Sequence, residues 1–163
     1  MPSIPGVKAD INLLKQAHTA NVALGERAVQ SDFKVTFEGY EDLWVLIRTA
    51  QTPAISRGDN VEDFGPFGMA FQQYGNLKRD GDISANIVEV KSGRALKAIR
   101  SIVEDRQYIN VKVELVGEGQ KGDGWELQMC TVQAEPGDLD VEGQTTALRI
   151  PLQIHHNWFE WLK

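Results

Sequence analysis

Between residue 33 and the C-terminus, a single stretch carries the period of an α-helix. Ala95, Leu96, Ala98, Ile99, Ile102 and Val103 fall at i, i+1, i+3, i+4, i+7 and i+8, which lays one apolar stripe along about three helical turns. Arg94, Lys97, Arg100, Ser101, Glu104 and Asp105 line the other side, and Ser92 stands where an N-cap serine belongs. The spacing predicts a helix at about 93–105 with Leu96, Ile99 and Val103 turned inward. A lone helix of that length cannot bury its stripe by itself, so it must lie against a sheet.

The rest of that region has the period of strands. Phe33, Val35 and Phe37 alternate with Lys34 and Thr36, as in a half-buried strand. The run Leu43-Trp44-Val45-Leu46-Ile47 is the size of a buried strand, and the turn at 38–42 makes the two a hairpin. Residues 52–68 contain Pro53, Gly58, Gly65, Pro66 and Gly68 and read as a loop of about fifteen residues, a length uncommon inside a compact domain. Residues 69–74 and 83–90 read as strands. So do the alternating sets Ile109, Val111, Val113, Leu115; Trp125, Leu127, Met129; and Leu148, Ile150, Leu152, Ile154. Pro151 has no N–H for a ladder and places the last strand on an edge, or paired on one side.

Seven strands and one helix without βαβ alternation predict a mainly β fold. The expected form is an antiparallel β-sandwich or barrel with a helix packed against it, plus an extended N-terminal arm. A small open α+β sheet is the alternative. At 163 residues the chain has room for one core. Residues 1–32 read as the arm, with Asp10 ahead of Ile11, Leu14 and Ala17 at the spacing of a short helix; residues 33–163 read as the domain.

Little in the chain has the pattern of an active site. The C-terminal QIHHNWFEWLK crowds together His155, His156, Trp158, Phe159, Glu160 and Trp161. Adjacent histidines on a strand point to opposite faces and cannot share a metal. Trp158, Phe159 and Trp161 are better suited to an apolar anchor for the C-terminus, on this domain or on a neighbouring subunit. The 117–122 segment matches G-x-G-x-x-G but sits between two strands with no helix after it, which makes it a hairpin loop. Asp138, Asp140 and Glu142 alternate as in a calcium loop without its glycine or distal glutamate. One cysteine, Cys130, excludes an internal disulfide and a cysteine zinc site. No apolar run reaches the length of a membrane span, and the first residues lack a secretory-signal pattern.

Charge is uneven. Residues 104–142 hold ten acidic and three basic side chains, against a net −6 for the whole chain. A surface built from that part would repel a polyanion, and basic residues do not cluster with aromatics as in a nucleic-acid-binding module. Missing chemistry, an apolar arm and a tryptophan-rich end together point to assembly, in which open sheet edges are protected by neighbours.

In its order of elements the chain resembles the tail tube proteins of bacteriophages and the tubes of contractile injection systems and type VI secretion. The likeness is one of architecture and pattern over residues 33–155, most evident in GDISANIVEVKSGRALKAIRSIVEDRQYINVKVEL, residues 81–115. It implies a structural virion protein of the phage tail, made in the host cytoplasm, with neither cofactor, catalytic residue nor membrane anchor. Six copies would close a ring, and rings would stack into a tube that passes DNA without binding it specifically, with sheath and baseplate proteins as further partners. The arm at residues 2–30 and the loop at 52–68 would mediate stacking, the latter through Arg57, Asp59, Asn60, Glu62, Asp63 and Phe64. Glu114 and Glu126, polar positions on predicted strands, would face the lumen. A baseplate or tail-completion protein, a β-barrel module for a small molecule, and an enzyme with an acidic pair are the competing readings.

Overall fold

The computed structural model of the protein describes residues 10–117 and 122–162, and the chain divides into two compact units, Met1–Ser31 and Asp32–Lys163. In the first, the Asp10 carboxylate accepts from the N–H groups of Asn12 and Leu13 and so starts α1 (Ile11–Leu24), which Gly25 ends at φ 81°. This is a full four-turn helix where the sequence suggested a short one, and none of its residues is buried.

The second unit contains β1 (Lys34–Phe37), β2 (Ile47–Thr49), β3 (Ser56–Arg57), β4 (Val61–Phe64), β5 (Ala70–Gln73) and β6 (Leu77–Lys78). It continues with β7 (Gly81–Val88), α2 (Arg94–Glu104), β8 (Ile109–Glu114), β9 (Gly124–Ala134), β10 (Arg149–His156) and β11 (Trp158–Trp161). Seven strands form one antiparallel sheet in the order β1-β8-β9-β10-β7-β2, with β11 also on β9. Its two end strands, β1 and β2, are joined only by residues 38–46, so the sheet curls into a nearly closed barrel.

The bend that allows this is local. The first half of β9 pairs with β11 and the second half with β10. Between them Met129 takes φ 51°, and Asn157 joins β10 to β11. The Asn157 side-chain amide donates to the Met129 carbonyl at 2.9 Å and its backbone N–H to the Gln128 carbonyl at 3.2 Å. Such a bulge bends a strand and increases its twist. Alternate side chains then fill one core: Val35, Phe37, Ile83, Ile87, Val111, Val113, Leu127, Val132, Leu152, Ile154 and Phe159, closed on one side by Ala95, Ala98, Ile99 and Ile102 of α2.

Several local expectations are corrected. Residues 43–46 are not a strand: Glu41–Leu46 is a 3-10 turn, which buries Leu43 and leaves Trp44 and Val45 exposed, and only Ile47 of the expected strand opens β2. Consequently β1 and β2 are not a hairpin and lie at opposite ends of the sheet. Ser92 does not cap α2. The Glu89 carboxylate accepts from the N–H groups of Ala95 and Leu96 at 3.1 and 2.8 Å instead. The buried stripe of α2 runs through Ala95, Ala98, Ile99 and Ile102, while Leu96 and Val103 remain 47% and 45% exposed. A stripe with six apolar positions was wider than the sheet could cover. Strand β10 is central, between β9 and β7; Pro151 is tolerated because the β9 ladder covers only residues 152–155. The 117–122 loop reading falls mostly on residues 118–121, outside the described residues, as do residues 2–9 of the arm.

Candidate assembly surface

Residues 52–68 are not an irregular loop, nor are residues 69–74 a barrel strand. Together they form a long β-hairpin standing apart from the main sheet. The chain runs outward through β3 and β4, turns at 65–69, and returns through β5 and β6, with β4 on β5 and β3 on β6. At the neck the Gly58 N–H donates to the Asn76 carbonyl at 2.6 Å. At the tip the Gly65 N–H donates to the Met69 carbonyl at 2.6 Å, and Phe67 and Gly68 both adopt positive φ. A glycine-proline-glycine cluster between two short runs is a hairpin signal. Length and punctuation obscured it in the sequence.

The residues singled out for stacking spread along this hairpin. Arg57 braces the neck, donating to the Gly75 carbonyl at 3.2 Å and lying 5.9 Å over the Tyr74 ring. Asp59 and Asn60 fill the bend between β3 and β4. Glu62, Asp63 and Phe64 stand opposite Gln72, Phe71 and Ala70. The strand period puts Asp63 and Phe71 on one face and Glu62 and Phe64 on the other. The surface extends to residues the sequence reading assigned elsewhere: Phe67, Met69, Phe71, Tyr74 and Leu77 are all exposed, as is every residue of β4 and β5. A two-stranded hairpin is marginal alone in water, and one with apolar groups on both faces has a surface suited to a partner.

Glu114 and Glu126 lie half-buried on the outward side of the sheet. Their cross-strand neighbours are mixed in sign: Glu114 is opposite Lys34, and Glu126 stands between Lys112 and Glu160. Much of the acidic excess lies elsewhere, in the segment between β9 and β10 that holds Glu135, Asp138, Asp140 and Glu142.

The C-terminal cluster is divided between two faces. His155 points outward, with Nδ1 2.7 Å from an Asp82 carboxylate oxygen. His156 points inward and is 1% exposed, as is Phe159, whose ring it meets edge-on at 5.8 Å. Arg79, at the foot of the hairpin, sits 4.7 Å over the Phe159 ring and donates to its carbonyl at 3.4 Å. Trp161 packs on Trp125 at 5.3 Å, while Trp158 and Trp161 each keep about half their surface exposed. Thus β11 is tied to β9 and to the core, and through Phe159 and Arg79 it grips the root of the hairpin. Among the described residues, no three His, Cys, Asp or Glu side chains converge as metal ligands.

Two predictions follow from this grip. Phe159→Ala should cost about 3–5 kcal/mol, the usual loss for a buried aromatic, read as a lower denaturation midpoint at unchanged slope. Burial, and next the neighbouring His155, hold the His156 imidazole below its usual range, against the pull of Asp80 and Asp82. The unfolded chain therefore binds that proton more readily, so stability is full above the ordinary histidine pKa of about 6.5 and declines as pH falls below it. Denaturation midpoints should fall between about pH 7 and pH 5, and His156→Phe should flatten that part of the curve. An equally steep curve in the variant would assign the loss to other groups.

No protein-family profile matches the chain, and no curated protein matches it. Solved structures do. A chain of the PVC extracellular contractile injection system, from its extended sheath–tube complex, superposes with a TM-score of 0.66 at 11% identity, covering 88% of this chain and 97% of that one. A chain from the tube-terminating cap of the anti-feeding prophage gives 0.64 at 14% identity, with 87% and 98% covered. One from the PVC sheath/tube terminator gives 0.66 at 10% identity, with 86% and 99% covered. Because nearly the whole of each neighbour is matched, the likeness is of complete folds: this chain has the fold found in the sheath–tube, cap and terminator complexes of contractile injection systems.

Proposed function

We propose that the protein is a structural subunit of a phage tail or a phage-tail-like particle, assembling by self-association into rings that stack as a tube. The observation that carries this reading is the hairpin at residues 56–78, which holds large apolar side chains in water on a chain with this fold. Burying one such side chain yields about 1.5–3 kcal/mol. Five or six of them would together match the roughly 4–15 kcal/mol that association costs. On this reading Arg57, Asp59, Asn60, Glu62, Asp63 and Phe64 act in stacking, the arm at residues 2–30 adds to it, and Trp158 and Trp161 offer their exposed halves to a neighbour. Six copies to a ring, contact with sheath and baseplate proteins, synthesis in a host cytoplasm and passage of DNA belong to the same proposal. No helix among the described residues is long and apolar enough to cross a membrane.

Light scattering and negative-stain microscopy at rising protein concentration test it. Rings or tubes are expected; a strictly monomeric species at high concentration would overturn the reading. A second reading draws on the comparable likeness of the cap and terminator chains, at TM-scores of 0.64 and 0.66: a single ring that closes a tube end. Discrete rings that never lengthen would select it. For the lumen, Glu114→Lys with Glu126→Lys should still fold: both side chains are half-buried on the outward side of the sheet, and setting like charges opposite Lys34 and Lys112 should cost up to about 1 kcal/mol at each position. Transport of DNA through the tube should slow, because added cations hold phosphates. Normal DNA ejection by particles carrying the double variant would remove these two residues from any such role.

A further inference from the structure

The inward positions of β10 run Ile150, Leu152, Ile154 and His156, each at most 3% exposed. An apolar side chain would continue that series, yet the chain puts an imidazole there. Neither of its ring nitrogens has a partner among the described residues, and a buried polar group left so costs stability. The other buried side-chain nitrogens in that condition are Nε of Arg79 and Nε1 of Trp125. All three residues lie around β11, Arg79 and His156 on the Phe159 ring and Trp125 on Trp161. Buried polar atoms left unpaired at one place ask for a reason other than packing.

The place is where the hairpin returns to the barrel. Gly81 stands opposite His156 in the β7–β10 register, and a Cβ on it would lie 3.4 Å from Cε1 and 3.5 Å from Nε2 of the imidazole. The ring therefore rests on the backbone two residues after Arg79, which holds the hairpin foot to Phe159. Protonated, an imidazole has two N–H donors and needs two acceptors. The carboxylates that favour its charge are Asp80 and Asp82, on either side of Gly81. Both are exposed, and Asp82 is held on the outward side by His155 at 2.7 Å. His155 opposes a second charge, and Arg79 is a further cation across the Phe159 ring. From β11 there is Glu160, exposed and bonded to the Trp158 indole. The titratable group on the buried side of β9 is Cys130, whose thiol burial pushes up to about 12, so it stays neutral. A charged His156 thus has no acceptor while residues 79–81 keep their places.

We infer that His156 is an acid-sensitive latch on the hairpin: neutral, it packs between Gly81 and Phe159 and keeps Arg79 seated; protonated, it displaces residues 79–81 and frees the hairpin at its foot. Burial, and next His155, hold the imidazole below its usual range. The open root therefore takes up the proton more readily than the closed one, and falling pH shifts the balance toward open. The latch belongs to one chain and works whether or not copies assemble. On the self-assembly reading above, it presents an ordered hairpin at neutral pH and withdraws it in acid.

Limited proteolysis of the dilute, unassembled protein tests it, with a protease active at about pH 5 and about pH 7, the two sides of an ordinary histidine pKa. Rates are normalised to those on a free peptide of residues 56–78. Cleavage within that segment should be several-fold faster at the lower pH, while circular dichroism shows the barrel still folded. Equal normalised rates, or cleavage that begins only as the barrel unfolds, would overturn the latch. His156→Phe should remove the pH step, and so should His156→Met, whose flexible side chain adapts if the larger ring does not fit. A step of unchanged size in either folded variant would assign it to another group and overturn the proposal. Arg79→Ala gives a readout that leaves His156 in place. With the foot gone, its hairpin should be cut quickly at both pH values; a hairpin that stays closed in this variant would equally overturn the proposal.

Discussion

Ile99→Asp should give no folded protein. The side chain is 5% exposed, on the face of α2 that closes the barrel core with Ala95, Ala98 and Ile102. A carboxylate there has no cation or donor to meet it, and an uncompensated buried charge costs several kcal/mol even after its pKa adjusts. Total stabilities are about 5–15 kcal/mol, so one such change removes most of the margin. The expected result is aggregation on expression, or soluble material without a cooperative melt by circular dichroism. Leu96→Asp is the control that gives the test its meaning. Three residues earlier on the same helix, but 47% exposed, it should shift stability by under about 1 kcal/mol. If Leu96→Asp unfolds the protein and Ile99→Asp does not, α2 lies on the other side of its axis.

That contrast marks how far the sequence could be read. Helical period alone established that α2 exists and needs a sheet. It could not say which part of the stripe is covered, because Leu96 and Val103 have the same hydropathy as Ile99 and differ only in what the barrel places against them. Strands β8 and β10, and β7 up to Ile87, were legible because each has one wet and one dry face, so their alternation is strict; in β9 the bulge breaks it, so Met129, expected inward with Trp125 and Leu127, is exposed and Cys130 is buried in its place. Residues 43–47 misled for the opposite reason: five apolar residues in a row carry no period, and a 3-10 turn burying Leu43 fits them as well as a strand. The hairpin was hidden by the same logic. Its apolar residues, among them Phe64, Phe71 and Leu77, answer to no core of this chain, so neither period nor burial within one copy explains them. Glu62, Asp63 and Phe64 lie on β4, but which of them share a face became visible only with the β4–β5 register.

Gly75→Val should separate assembly from folding. Gly75 lies in the neck, where β3 and β6 close the hairpin against the barrel. A Cβ on it would press on the carbonyl of Asp59 and come within 2.7 Å of the Gly58 carbonyl oxygen, backbone atoms that cannot swing aside. A branched side chain must therefore force the strands apart, breaking the 2.6 Å bond from Gly58 to Asn76 and the brace from Arg57 to the Gly75 carbonyl. None of the buried core lies between residues 48 and 82 apart from the edges of that segment's attachment, so the barrel should keep its melting temperature to within a few degrees. The splayed hairpin becomes a protease site, since exposed and unpaired backbone is cut first. Limited proteolysis should then cleave between residues 56 and 78 in the variant and spare the parent. Because the surface proposed for stacking is carried on this neck, rings and tubes should be absent from micrographs of a fully folded variant. Tubes of normal length from Gly75→Val protein, with cleavage in the hairpin confirmed, would show that assembly runs through some other part of the chain.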